Sequence, residues 1–320
     1  MAAALAILLL PVTAAEAQPR KSLSLVRDAE VEDLLRDYAR PVFKAGGLNH
    51  NAIQIFLVND KAFNAFVAGG QRIFLNTGLL EKTTAPEQVA GVIAHEAGHI
   101  AGGHLARMQG NLSNASTAMI LTYILGAAAA VGSGDAGAGA AVLGGASNIA
   151  QRQLLRFSRG QERAADQFAV KTLEKTGWPV TGLRDAMKII QRHTAWRAMQ
   201  IDPYLRSHPL TEDRIAFLEE QVRRQGETAG MAAFARRHAR MRGKLQGFLG
   251  EPQTILMALQ REPAPTSEEE RIRQQYAKAI ALYRLPDMTA ALKAMEPLIA
   301  MFPADPYFVE LHAQMALEQG

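Results

Sequence analysis

The spacing of apolar and polar residues in the first part of the chain predicts one helix and several short strands. Apolar residues at helical spacing predict a helix over residues 24–45. Its buried face would carry Val31, Leu34, Leu35, Tyr38 and Val42. Runs of β-branched and aromatic residues predict strands at 53–58 and 73–75, with a turn at Gly69-Gly70. Residues 64–68 precede that turn and are expected to form an edge strand.

The next apolar pattern predicts a helix with two histidines on one face. Thr84 and Glu87 have the spacing of an N-cap and its third helical residue, and Pro86 falls in the first turn. A helix turns by about 100° per residue, so His95 and His99 stack on one side. Two such imidazoles can bind one metal ion, and the glutamate beside the first can take a proton from water. This H-E-x-x-H pattern indicates metal-dependent hydrolysis; an ordinary amphipathic helix with two incidental histidines is the alternative.

A third ligand is required, because a catalytic zinc keeps three protein ligands. The chain contains no cysteine. Glu162 and Asp166 are four positions apart in a predicted helix and face the same way. Glu162 could bind the metal, while Asp166 could accept the ring N–H of a ligand histidine. Ion pairing on a solvated face with Arg159 and Arg163 is the alternative, and the H-E-x-x-H pattern earlier in the chain favours the metal.

The remaining histidines offer no ligand spacing. His104 is nine positions beyond His95, a rotation of about 900°, which predicts the opposite side of the helix and a structural or surface role. No metal role is expected for the isolated histidines His50, His193, His238 and His312.

Three segments together resemble a known group of enzymes. They are H-E-A-G-H at 95–99, E-R-A-A-D at 162–166 and S-H-P-L-T-E-D-R-I at 207–215. The chain resembles the gluzincin metallopeptidases that include the HtpX heat-shock protease and the CAAX prenyl-protein protease. Within that group it is similar to the periplasmic β-barrel assembly-enhancing proteases, which combine a signal peptide, this catalytic domain and C-terminal helical repeats. The likeness covers roughly residues 30–320.

The resemblance implies one zinc ion per chain, bound by His95, His99 and Glu162. It implies that Glu96 is the general base and that Asp166 is the carboxylate behind the ligands.

The resemblance also implies three further roles. His208 would stabilise the oxyanion or bind zinc as an inhibitory fourth ligand, with a capping histidine before a proline as the alternative. Arg214 would orient an active-site carboxylate. The edge strand, with Asn64, Ala65 and Phe66, would pair with extended substrate backbone, with a plain edge hairpin as the alternative.

The expected fold class is α+β and mostly helical. A zincin-type metallopeptidase domain with a small sheet would occupy residues 18–250, followed by α-helical tetratricopeptide-like repeats over 251–320. Glycine and proline residues cluster near the boundary at 250. Helices at 276–283 and 291–299 would form one repeat, and 307–320 the start of the next, so the repeat region is expected to be truncated.

The first residues indicate export. Residues 1–17 have an apolar core and end in Ala15-Glu16-Ala17, which predicts a signal peptide and a periplasmic location, although Lys and Arg are missing from the start. A short buried helix is the alternative. Without cysteine there are no disulfides, so packing must supply the stability.

An unusual apolar and Gly/Ala-rich stretch occupies residues 116–150. We expect a mobile lid or a hairpin that contacts a membrane surface through 116–145, with a buried helical hairpin as the alternative. The net charge of +4 is small and spread along the chain. The densest basic run, 236–242, is interpreted as a solvated helix face, so no nucleic-acid partner is expected.

The sequence therefore predicts an exported zinc endopeptidase that cleaves unfolded or misassembled outer-membrane proteins and contacts the outer-membrane assembly machinery through its repeats. The alternative is a periplasmic chaperone or scaffold that acts through the repeats and keeps a latent zinc site.

Overall fold

A four-stranded sheet forms one side of the first hydrophobic core. The structure is a computed structural model that describes residues 23–107, 159–196, 208–228 and 230–319. The strands are β1 (Leu25–Val26), β2 (Gln54–Val58), β3 (Ala65–Ala68) and β4 (Arg72–Asn76). They lie in the order β1-β2-β4-β3, in which β2 and β4 are parallel and the outer strands are antiparallel to their neighbours. β3 is an edge strand, as the pattern at 64–68 predicted, and it begins one residue later.

Helices complete the first core. They are α1 (Ala29–Ala45), α2 (Thr77–Lys82), α3 (Pro86–Ala101), α4 (residues 159–176), α5 (Thr181–Trp196), α6 (Glu212–Gln225) and α7 (Ala235–Leu249). α3 is the central element, because it packs against α1, α5, β3 and β4. Its side chains Val89, Val92 and Ile93 are fully or almost fully buried. The helix that carries the two paired histidines is therefore held from several sides.

The first helix begins later than its apolar pattern predicted. Asp28 caps α1, and its Oδ1 accepts the backbone N–H of Val31 at 2.9 Å. The residues before this cap form β1 and pair with β2, so the prediction that the helix starts at residue 24 is wrong. The apolar spacing located the buried face of α1 but could not separate a short strand from the helix that follows it.

The start of α3 also differs from the prediction by one residue. Its N-cap is Ala85, and the Oε1 atom of Gln88 accepts the backbone N–H groups of Thr84 at 2.7 Å and Ala85 at 3.3 Å. The proposed pair Thr84 and Glu87 is therefore wrong, because Gln88 satisfies the backbone groups at this terminus.

A second core forms among the last helices. These are α8 (Pro252–Arg261), α9 (Glu268–Arg284), α10 (Met288–Met301) and α11 (Pro306–Gln319). Tyr276, Ile280, Met295 and Phe308 are buried in a cluster separate from the first core. The described residues are mostly helical with a small four-stranded sheet, which agrees with the α+β expectation. Whether these helices are tetratricopeptide-like repeats remains a proposal.

The basic run at 236–242 is not a solvated face, contrary to the prediction. It lies in α7, which packs against both α1 and α9. Arg240 is only 5 % exposed and pairs with Glu30 and Asp305. Arg237 lies 2.6 Å from Asp37. These arginines pair with carboxylates of neighbouring elements, which a count of charges along the sequence cannot reveal.

Two of the sequence-based predictions lie outside the described residues, namely the signal peptide at 1–17 and the segment 116–150. Among the helices that the structure does describe, none combines the length and apolar character needed to span a bilayer.

Candidate metal centre

Four side chains converge on one point between α3, α4 and the segment before α6. Possible ligand atoms of His95, His99, Glu162 and His208 all lie within 4.8 Å of one another. The Nε2 atoms of His95 and His99 are 3.1 Å apart, and each lies 3.3 Å from a carboxylate oxygen of Glu162. His208 Nδ1 lies 3.1 Å from Glu162 Oε1 and 3.4 Å from His95 Nε2. The three residues predicted to bind the metal are thus brought together, and His208 joins them.

Gly98 explains how Glu162 reaches the two histidines. A Cβ atom at this position would lie 2.8 Å from the Cα of Ala165 and 2.9 Å from its carbonyl oxygen. The backbones of α3 and α4 therefore touch here, which only a residue without a side chain permits. Glu162 lies about one turn before Ala165 and faces the same helix. The glycine of the H-E-x-G-H segment is therefore required by packing.

Glu96 is a buried carboxylate in an unusual position. It is 0 % exposed, and neither of its carboxylate oxygens has a hydrogen-bond partner among the described residues. His208 Nε2 lies 3.5 Å from Glu96 Oε1. Burying an unpartnered charge is costly, so folding alone does not account for this residue. A role that leaves its oxygens available, such as accepting a proton, does.

Asp166 and Arg214 form a rigid support behind the ligands. Arg214 donates two hydrogen bonds to the Asp166 carboxylate, at 2.7 and 2.8 Å. Its NH1 atom also lies 2.8 Å from Glu162 Oε2. Asp166 Oδ1 in turn lies 2.9 Å from His95 Nδ1. One arginine therefore holds two carboxylates in place: Glu162, which belongs to the ligand group, and Asp166, which lies behind His95.

The electrostatics of the cluster favour ionised carboxylates. Burial lowers the pKa of His95, but Asp166 and Glu162 outweigh it and raise that pKa to about 9. Burial raises the pKa of Glu162, yet hydrogen bonding to His208 and to the paired imidazoles holds it far below its usual value. Burial likewise opposes ionisation of Asp166, and its bonds to Arg214 lower its pKa overall.

His104 is the residue that the sequence argument placed wrongly. It is 5 % exposed, and its Nδ1 lies 2.9 Å from His99 Nδ1, on the side of that ring away from the cluster. α3 ends at Ala101, and Gly103 adopts a positive φ of 60° before a new helical turn begins. The rotation of an unbroken helix therefore does not apply. The Gly102-Gly103 pair was the available signal.

The donor set suits a divalent cation such as zinc. Three imidazoles and one carboxylate supply nitrogen and oxygen ligands of the kind that zinc prefers. Three carboxylates, Glu96, Glu162 and Asp166, oppose the single guanidinium of Arg214, which leaves a formal charge of minus two when the imidazoles are neutral. A divalent ion would neutralise that charge.

The predicted substrate-strand residues lie on or beside the edge of the sheet. Ala65 and Phe66 belong to β3, which contacts α3, and Asn64 immediately precedes it. The Phe66 ring stacks on Phe74 of β4 with 5.0 Å between ring centroids. The free side of β3 has no strand neighbour among the described residues.

Comparison with known proteins agrees with this geometry. Residues 26–222, more than half of the chain, match peptidase family M48. The chain is 24 % identical over 311 residues to the β-barrel assembly-enhancing protease of Yersinia pestis, which covers 95 % of this chain and 62 % of that protein. It is 23 % identical over 310 residues to the protein of the same name from Escherichia coli K12, covering 95 % and 61 %.

The chain thus spans about three fifths of the length of these relatives. The matched segment contains all four residues of the converging group, His95, His99, Glu162 and His208. The chain therefore belongs to peptidase family M48, and it is a metallopeptidase.

Proposed function

We propose that this chain is a zinc-dependent endopeptidase that hydrolyses unfolded or misassembled outer-membrane proteins in the periplasm. One observation carries the catalytic part: the buried, unpartnered carboxylate of Glu96 lies beside the group formed by His95, His99 and Glu162. The substrate and the compartment are supported by the relatives named as β-barrel assembly-enhancing proteases.

In this proposal His95, His99 and Glu162 hold the ion. A bound zinc ion lowers the pKa of a water ligand and polarises the scissile carbonyl. Asp166 accepts the Nδ1–H of His95, which leaves the Nε2 lone pair directed at the ion. Arg214 keeps the Asp166 carboxylate in the orientation that this bond requires.

Glu96 moves the protons. Its carboxylate has no competing hydrogen bond among the described residues, so it can accept a proton from the attacking water and later donate it to the leaving amine. His208 places its Nε2 3.5 Å from Glu96, where an N–H donor can stabilise the oxyanion of the tetrahedral species.

His104 positions the second ligand. Its ring nitrogen lies 2.9 Å from His99 Nδ1, so one of the two nitrogens donates and the other accepts. When His99 donates through Nδ1, its Nε2 lone pair faces His95 and Glu162, as metal binding requires. Burial lowers the pKa of His104 to about 4, which keeps this ring neutral and able to accept.

The free edge of β3 is the proposed substrate contact. An extended peptide can add to this edge through backbone hydrogen bonds, which are largely independent of side chains. Such recognition suits a protease whose substrates are all unfolded but differ in sequence. The helices α8 to α11 are proposed to be tetratricopeptide-like repeats that bind substrate or assembly machinery.

A second candidate function is a chaperone or scaffold with a latent metal site. It is favoured by His208 Nδ1, which lies close enough to His95 and Glu162 to act as a fourth protein ligand. A zinc site closed by four protein ligands is structural, because no position remains for water.

Metal analysis of the purified protein, followed by two substitutions, separates these functions. We expect one zinc per chain, and we expect Glu96→Gln to abolish casein cleavage while zinc remains bound. If His208 only stabilises the oxyanion, His208→Ala lowers the cleavage rate; if it is an inhibitory ligand, the same change raises it. If the zinc-loaded wild type and the zinc-loaded His208→Ala variant both fail to cleave casein, the chaperone or scaffold function is supported.

A further inference from the structure

The edge of the sheet opposite β3 is only partly covered. β1 has two residues and pairs only with Val58 and Leu57, at one end of the five-residue strand β2. After β1 the chain turns at the Asp28 cap and enters α1. Residues 54–56 of β2 therefore have no strand neighbour on this side among the described residues.

Backbone hydrogen bonds show which groups this open edge presents. The Gln54 N–H is bonded to the carbonyl of Gln71 on the β4 side, while the Asn59 N–H is bonded to Ser24 on the β1 side. Backbone groups of successive residues in a strand point to alternate sides. Ile55 therefore directs its N–H and C=O away from β4, toward the uncovered side. An extended chain could form a pair of hydrogen bonds with it.

A groove of about 390 Å³ lies along this edge, with α1 as its other wall. Five consecutive residues of the strand region, 53–57, line the groove. A sheet face would contribute only every second residue, so the wall is the strand edge itself. Leu35 and Phe43 of α1 line the groove but are 0 % and 2 % exposed, so its accessible apolar surface comes from the half-buried Ile55 and Phe56.

The rim of the groove is positively charged. Arg27, Arg36 and Arg40 line it, with Glu32 as an opposing carboxylate. Glu32 is already paired, since it lies 2.7 Å from Arg27 and 3.7 Å from Arg36. Arg40 has no ion pair among the described residues, and exposed His50 lies at the same groove. The Arg40 guanidinium is therefore available to bind an anionic group.

We propose that this groove binds the C-terminal end of an extended apolar peptide, whose backbone pairs with Ile55 and whose terminal carboxylate binds Arg40. The bound peptide would continue the line of β1, antiparallel to β2. α1 leads through residues 46–53 into β2, and Arg40, near the end of α1, lines the same groove as Gln54 and Ile55, the first residues of β2. A strand antiparallel to β2 ends there, which places a C-terminus at the guanidinium.

Fluorescence anisotropy with labelled synthetic peptides tests the proposal on the full chain carrying Glu96→Gln, which leaves the probe intact. The probes are a short apolar peptide with a free C-terminal carboxylate and its amidated twin. We expect the amide to bind about tenfold more weakly, and Arg36→Ala/Arg40→Ala to weaken the free acid by a similar factor. Arg261→Ala/Arg271→Ala removes the same charge from exposed sites on α8 and α9 and should change nothing.

Backbone pairing is tested separately with N-methylated probes. N-methyl groups on one alternate set of residues block the hydrogen bonds to β2, while the other set leaves them intact. We expect only one of the two sets to abolish binding. Equal affinity of the acid and the amide, equal affinity of the two methylated sets, or no binding of the free acid would each overturn the proposal. Binding should persist in EDTA, so its failure and a failure of zinc catalysis give different results.

Discussion

Two clusters of charge in the described part of the chain are organised differently. The first is the metal centre. The second, here called the junction cluster, joins α1, α7 and the start of α11 and consists of Asp28, Glu30, Arg240, Lys244 and Asp305. In the junction cluster each cation has two anionic partners: Arg240 lies 2.6 Å from Glu30 and also bonds Asp305, and Lys244 lies 2.9 Å from Asp28 and 3.1 Å from Glu30.

In the metal centre this pairing is incomplete. Three carboxylates face one permanent cation, and both oxygens of Glu96 have no hydrogen-bond partner in the described part of the chain. Its imidazole nitrogens approach one another, as in the 3.1 Å contact between His95 and His99, where at most one can donate. Every charged side chain of the junction cluster has an ion pair of opposite sign, whereas the carboxylates and imidazoles of the metal centre converge on a point where an added cation would fit. Buried charges that pair with one another indicate a structural role. Buried charges that converge on one point without pairing indicate a binding or catalytic site.

The largest expected effect is on the junction cluster. Arg240→Met leaves the buried Glu30 with Lys244 as its remaining cation and the partly buried Asp305 without one, which should cost about 3 kcal/mol of unfolding free energy. Urea unfolding measures this loss, and it should be the same with zinc or with EDTA. A loss below about 1 kcal/mol would mean that the cluster does not hold the two cores together.

Zinc removal should act only on the metal centre. Ligand bound to the native state stabilises it by about 2.7 kcal/mol when free zinc is a hundred times its dissociation constant. Thermal unfolding with zinc and with EDTA should show this gain in the wild type and in Arg240→Met, but not in Glu162→Gln. A zinc gain retained by Glu162→Gln would contradict the assignment of that carboxylate as a ligand.

His104 offers a test of similar or slightly smaller size. His104→Leu removes the acceptor for His99 Nδ1 and should weaken zinc binding about 10–100-fold, or roughly 1.4–2.7 kcal/mol. His104→Asn keeps an acceptor near that position and should recover most of the affinity. Zinc competition with a chromophoric chelator measures both, and the visible spectrum of the cobalt-substituted protein reports the ligand geometry.

His50→Leu is the matched control, because His50 is exposed and lies outside the metal-ligand group. Equal zinc affinity for His104→Leu and wild type would show that His104 only fills space.

Much of the fold and of the candidate site could be predicted because it depends on local spacing. Two histidines four positions apart on a helix, and a glutamate four before an aspartate, are placed by helix geometry alone. The buried face of α1 followed from the same periodicity. What brought α4 against α3, however, is the contact of Gly98 with the backbone of Ala165, a tertiary feature.

The errors came from breaks in regular structure and from long-range pairing. His104 was assigned to the wrong side because Gly103 ends the helical rotation that the argument assumed. The basic run containing Arg240 appeared solvated because its partners, Glu30 and Asp305, are far away in sequence. The local spacing of apolar residues reveals neither the end of the helix nor the distant partners.

The smallest expected effect concerns His238, which belongs to neither cluster. Its Nε2 lies 3.1 Å from the carbonyl of Thr83 and its Nδ1 3.3 Å from the Tyr38 hydroxyl, so a neutral ring donates to the first and accepts from the second. Burial lowers its pKa to about 4, against about 6.5 in the unfolded chain. Between these values the unfolded state binds more protons, so stability falls as pH drops below 6.5.

We expect protonation of this histidine to lower the free energy of unfolding by about 1 kcal/mol between pH 6.5 and 5.5. Urea unfolding at both pH values should show this contribution in the wild type and in His50→Gln, and a slope shallower by that amount in His238→Gln. Arg240 and Lys244 of the junction cluster stay charged over this range, because burial lowers their pKa values less than the neighbouring carboxylates raise them. An unchanged slope in His238→Gln would mean that the acid sensitivity arises elsewhere. If it arises from the imidazoles of the metal centre, adding zinc, which binds only the neutral rings, would steepen it.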